Sequence, residues 1–117
     1  MENLVKGHCV PCEGGTKPLS EEQISEYLQA LTGWNVENNK ELDKEYQFKD
    51  FAEALSFVNA VGEIAESEGH HPDMNLFAWN KVTVMLSTHA IGGLSTNDFI
   101  VAAKIDAMKN TRFPVIS

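Results

Sequence analysis

Apolar residues recur along this chain in two rhythms, every third or fourth position in three segments and every second position in the stretches between them. In "PLSEEQISEYLQAL", Ile24, Tyr27, Leu28 and Leu31 keep helical spacing; Ser20 with Gln23 forms a capping box, and Gly33 stops the run. "GWNV" and "ELDKEYQF", separated by "ENN", read as two strands, with Leu42, Lys44, Tyr46 and Phe48 on one face and Lys44 interrupting it. Asp50 and Glu53 cap a long second helix in which Phe51, Ala54, Leu55, Val58, Val61 and Ala65 follow the helical period. Gly69 suits its left-handed terminus, and Pro72 opposes continuation.

"MNLFAW" and "VTVMLSTH" then flank Asn80-Lys81 as a tight hairpin, with Val82, Val84 and Leu86 on one face and Thr83, Met85, Ser87 and His89 on the other. After the glycine-rich "AIGGL", Ser95 caps a third helix, with Asp98 at the capping-box position and Phe99, Ala102, Ala103 and Met108 as buried contacts. The order α-β-β-α-β-β-α predicts an α+β fold: a four-stranded, mainly antiparallel sheet with three helices packed on one face. The opposite face is left to solvent or to another subunit, which favours oligomerisation.

A chain of 117 residues fits one domain over 1–117, with 1–18 as an N-terminal loop segment. Its net charge of -8 carries no basic stripe for phosphate or anionic lipid, so neither nucleic acid nor membrane is an expected partner. The first residues do not read as a signal peptide, and no segment approaches the roughly 18 apolar residues of a membrane span. The expectation is a soluble, cytoplasmic protein.

The 2 cysteines, Cys9 and Cys12, stand in "CVPC". A structural zinc site wants a second ligand pair; His8 adds one ligand and a later histidine would have to complete the set. A redox pair lacks the helix that usually follows, so a structural role is favoured for these thiols.

Of the 4 histidines, His70, His71 and His89 fall in a helix exit and a strand end. Neighbouring histidines cannot share one helical face, but a chain turning at Gly69 and Pro72 lets them flank a bound molecule. His70 could instead cap the helix, His89 could make a surface hydrogen bond, and Asp98 has a capping role in any case. Together with Glu66, one turn before His70, these residues form an acid/base inventory, because imidazole titrates near neutrality. Zinc is one use of such a set; spacing favours the other, metal-free proton transfer on a small polar substrate such as elimination of water.

"ExxxHHPD" (66–73), "WNKVTVMLSTH" (79–89) and "GGLSTNDFxxAxxID" (92–106) resemble the pterin-4a-carbinolamine dehydratases, and "CVPCEGG" and "PLSEEQ...LTGW" extend the resemblance over nearly the whole chain. It implies the same α+β fold, a homodimer or homotetramer, no metal and no organic cofactor. It also implies a reaction, loss of water from 4a-hydroxytetrahydropterin to give quinonoid dihydropterin, as in tetrahydrobiopterin recycling. The family's catalytic histidines fall on His70, His71 and His89, and its substrate-binding acids on Glu66 and Asp98. His70 and His89 would be the acid/base pair, with His71 polarising the pterin. Asp98 would orient a histidine or bind substrate, and Glu66 would contact the ring or tune His70. Some relatives also stabilise a transcription-factor dimer. The interval from the histidine pair to His89 is one residue longer than the family pattern, so "MNLFAWNKV" carries an extra residue, as a β-bulge or a longer hairpin, and a bulge before His89 is what keeps it on the correct face.

Overall fold

The computed structural model describes residues 4–9 and 17–113. Its elements are α1 (Glu21–Leu28), β1 (Asn35–Glu37), β2 (Glu41–Gln47), α2 (Phe51–Glu68), β3 (Asp73–Phe77), β4 (Lys81–Leu86) and α3 (Thr96–Arg112), with short 3-10 turns at Leu4–Lys6 and His89–Ile91. The sheet order is β1-β2-β4-β3 and every pairing is antiparallel. This is the predicted α+β fold. No helix of the described residues is long and apolar enough to cross a membrane.

Local chemistry explains the boundaries. The Ser20–Gln23 capping box is complete, each side chain accepting from the other's backbone N–H. Asp50 accepts from the Glu53 N–H at 2.8 Å to start α2, and Gly69 ends it at φ 66°. The β1–β2 turn passes through Asn38 and Asn39 at φ 54° and 58°, a region asparagine tolerates better than most residues.

Alternation along β2 and β4 sends Leu42, Tyr46, Val82, Val84 and Leu86 into the core, where α2 supplies Ala54, Phe57, Ala60, Val61 and Ala65 and α3 supplies Phe99, Val101, Ala102 and Ile105. Each of the larger aliphatic and phenylalanine side chains among these contributes about 1.5–3 kcal/mol on full burial, and each alanine less. Tyr27 of α1 stacks on Phe99, their ring centroids 5.2 Å apart.

Lys44, the interruption in the apolar face of β2, has a partner. Its Nζ donates to Asp106 Oδ1 at 2.9 Å and to the Thr32 carbonyl at 2.7 Å. Tyr46 Oη donates to the same Oδ1 at 2.7 Å, and Trp34 Nε1 to Oδ2 at 2.8 Å. Burial, reinforced by the Asp106 carboxylate, pushes the Tyr46 hydroxyl well above the usual phenol range.

Several expectations need correcting. The buried stripe of α2 runs through Phe57 and Ala60, leaving Phe51 and Leu55 48% and 43% exposed. Helix α1 stops at Leu28, with Leu31 in the turns that follow. The second hairpin turns at Ala78–Trp79–Asn80, so Lys81 already pairs with Phe77. Finally, the bulge before His89 does not form. The register of β4 runs unbroken from Lys81 to Leu86 against β2, and His89 lies beyond the strand in a 3-10 turn. A bridge between Thr88 and Gly93 closes that turn. Its own backbone therefore aims His89, and strand pleat does not.

Candidate active site

Two chain reversals bring the chemistry together. Gly69 ends α2 and delivers His70 and His71, while the strand exit Ser87–Thr88 delivers His89 beside the start of α3. Between them lies a cleft of about 680 Å³ whose lining includes Glu66, His70, His71, Ser87, Thr88 and His89. All three candidate histidines meet there.

Asp98 does not line this cleft; it stands behind it, fully buried, with its side chain 0% exposed. Its Oδ2 accepts from Thr88 Oγ1 at 2.8 Å and from the Ser95 N–H at 3.0 Å, and its Oδ1 lies 2.6 Å from His70 Nε2. Thr88 spends its single hydroxyl proton on Asp98, so the 2.8 Å contact between Thr88 Oγ1 and Ser95 Oγ is donated by Ser95. Asp98 is thereby fixed from three sides. His70, its side chain 12% exposed, carries the network to the cleft surface.

Glu66 meets His71 and not His70: Glu66 Oε2 is 2.5 Å from His71 Nε2. Both side chains are largely exposed, so solvent screens the pair and it contributes little to stability. His89 is exposed, its Nε2 3.4 Å from Ser87 Oγ. Among the described residues, no three of His, Cys, Asp and Glu stand together as a metal site. Cys9 lines the cleft, whereas Cys12 lies outside the described residues.

Residues that the sequence reading did not single out also shape the site. Thr88 orients Asp98; its signal was only a hydroxyl beside His89 in "STH". Glu68 is the last residue of α2 and lines the cleft, its side chain 5% exposed. Hydrogen bonding from the Cys9 N–H holds its carboxyl below the ordinary value of 4.5, outweighing the opposing effect of burial. An acid at a helix C-terminus opposes the macrodipole, a local conflict the sequence did display.

One imidazole is anchored on a buried carboxylate, a second is exposed beside Ser87 at the opposite strand exit, and a third meets Glu66 at the rim. Imidazoles so placed are equipped to give one proton and take another within the cleft.

A family model described as pterin 4 alpha carbinolamine dehydratase matches residues 17–108. A protein of Alkaliphilus metalliredigens that provisionally carries the same dehydratase name is 49% identical over 94% of this chain and 99% of its own. Among solved structures, one described as a transcriptional coactivator/pterin dehydratase from Brucella melitensis is 33% identical, covering 79% of this chain and 98% of that one, with a TM-score of 0.73. Another, described as a pterin dehydratase-like protein identified as a RuBisCO assembly factor in the alpha-carboxysome, is 26% identical over 65% of this chain and 88% of its own, with a TM-score of 0.56.

Proposed function

Because this chain belongs to the pterin 4 alpha carbinolamine dehydratase family, we propose that it removes water from a 4a-hydroxytetrahydropterin, with His70, His71 and His89 as its catalytic residues. The observation that carries this reading is the meeting of those three histidines in one cleft, His70 anchored on Asp98.

The reaction breaks the C4a–O bond and forms the N5=C4a double bond of quinonoid dihydropterin. The leaving hydroxyl takes up one proton and departs as water, and N5 gives one proton up. With Nε2–H held by Asp98, His70 keeps Nδ1 as its lone-pair nitrogen and serves as the base towards N5. His89 is the acid towards the hydroxyl, and one water's worth of atoms leaves with no net change in protons on the protein. His71, steadied by Glu66, binds and polarises the pterin at the rim. Asp98 acts through His70, and Glu66 contributes to substrate binding through His71. Recycling of a tetrahydrobiopterin cofactor is the role this activity would fill.

The assay is dehydration of a synthetic 4a-hydroxytetrahydropterin without added metal. The His70→Ala, His89→Ala double variant should lose at least about 10²–10⁴-fold in rate, the usual share of general acid–base catalysis. Full activity in that variant overturns the assignment.

A second reading, a surface for another protein, is favoured by Phe51 and Leu55, which leave an apolar strip exposed on α2. The Brucella relative is described as a coactivator as well as a dehydratase. The homodimer or homotetramer implied by the resemblance would be a competing use of such apolar surface. Phe51→Glu with Leu55→Glu should abolish co-purification of a stoichiometric partner, or lower the mass seen by light scattering, while dehydration continues. No change in either measurement removes this reading.

A further inference from the structure

One residue lining the cleft, Cys9, comes from ahead of the 17–108 span that the family model matches. The 3-10 turn Leu4–Lys6 packs against α3, and Gly7 sits so close to Ile100 that an added Cβ would lie 3.2 Å from its Cδ1. The chain then brings Cys9 to the cleft lining, its Sγ 3.6 Å from the Asn97 carbonyl oxygen.

Polar contacts hold this strap in place. The Cys9 N–H donates to Glu68 Oε1 at 2.8 Å, and His8 Nδ1 lies 3.2 Å from Glu68 Oε2. Lys104 Nζ donates to the Val5 carbonyl at 2.7 Å and stands 3.5 Å from the same Glu68 oxygen. Apolar contact adds to these: Leu4 and Cys9, partly buried, pack against the core, although the turn Leu4–Lys6 contributes no fully buried residue and Val5 is 44% exposed.

Glu68 is a costly residue at its position. A carboxylate withdrawn from water at the C-terminal end of a helix loses hydration and opposes the helix dipole. What offsets this is the strap's own N–H together with Lys104. Glu68 also stands two residues before His70, so the anchor of the strap and the adjacent His70 and His71 leave the same helix end.

We propose that the strap Leu4–Cys9, docked on Glu68 and Lys104, holds Cys9 at the cleft as a specificity contact, and that Cys9 limits the bulk of the substituent a bound pterin can carry. The proposal rests on the pterin reading above. The ring must lie between His70 and His89 to exchange protons with both. Cys9, lining the same cleft, then confines what projects from the ring.

The test uses the full chain and two substrates, 4a-hydroxytetrahydropterins carrying a methyl or a dihydroxypropyl group at C6, with hydrogen–deuterium exchange as a readout independent of turnover. Lys104→Met should raise exchange in residues 4–9 and improve kcat/KM for the bulkier pterin relative to the smaller by about three- to tenfold, a usual scale for pocket-size discrimination. Its kcat on the methyl substrate should stay within about twofold, since Lys104 is not part of the cleft lining. Cys9→Phe should shift the substrate ratio the other way. Faster exchange with an unchanged ratio overturns the specificity role. Unchanged exchange in both Lys104→Met and Glu68→Ala overturns the docking mechanism. If the wild type turns over neither pterin, the functional reading fails and the specificity role falls with it, while exchange still reports whether the strap docks.

Discussion

Helix α3 carries two aspartates about two turns apart, and each accepts three hydrogen bonds from elsewhere in the fold. Asp106 receives Trp34, Lys44 and Tyr46; Asp98 receives Thr88, the Ser95 amide and His70. By count and distance the two networks are near equivalents. Their difference lies in the last partner. Lysine, tyrosine and tryptophan act here only as donors to the carboxylate, so the Asp106 network is static and joins α3 to the sheet. Histidine has a second ring nitrogen that can give or take a proton, so the Asp98 network ends in a group equipped for the proton exchange proposed above. On the proposed reading, the number of hydrogen bonds does not tell the functional carboxylate from the structural one; the chemistry of the last partner does.

Asp98→Asn puts that distinction to its hardest test. It should lower the dehydration rate by about 10²-fold or more, since an amide cannot accept at both oxygens and so releases His70 from its fixed orientation. A stopped assay and a melting curve on the same sample separate that loss from unfolding. A mild effect on turnover would place Asp98 with Asp106 as purely structural. Asp106→Ala should do the opposite, costing about 2–4 kcal/mol by stranding Lys44 and Tyr46 while changing turnover per folded molecule by less than about twofold. Urea titration checks the first part and active-site-normalised rates the second.

Tyr46→Phe adds a contrast through pH. The folded-state pKa of Tyr46 is raised, so its contribution to stability is fully present below the unfolded value of 10.0 and is lost as pH rises beyond it, because only the unfolded chain then releases the proton. Wild type should therefore be the more stable protein at neutral pH by about 1 kcal/mol, with its advantage shrinking in strongly alkaline denaturation curves. A difference that stays constant across pH 8–11 (roughly bracketing the phenol range) would deny Tyr46 this role.

The element order was legible because period and capping agreed at nearly every boundary: Ser20 with Gln23, Asp50 before α2 and Gly69 after it all act as their residue types dictate. What stayed hidden depended on contacts between distant segments. Lys44 marked a gap in an apolar face, but no local pattern could name Asp106, 62 residues away, as its partner. Phe51 and Leu55 satisfied the helical period as well as Phe57 and Ala60 did; packing against the sheet, which periodicity does not contain, chose the second stripe. The candidate site divides the same way. The histidines were visible as a cluster of one residue type, and their meeting in the cleft depends on two chain reversals. The aim of His89 is not legible from alternation, because strand pleat ends with β4 at Leu86 and the 3-10 turn beyond it sets the side chain's direction. The docking of Cys9 on Glu68 has no periodic signature at all.

The two tryptophans give these regions separate optical signatures. Trp34 is 5% exposed with its indole N–H bound to Asp106, and Trp79 is 60% exposed at the tip of the second hairpin. A soluble quencher such as acrylamide will reach Trp79 in the native protein and Trp34 only after the core opens. In a Trp79→Phe background, the remaining emission becomes a single-residue reporter of the Asp106 network. The static half of the molecule can then be followed by fluorescence while the cleft is followed by its chemistry.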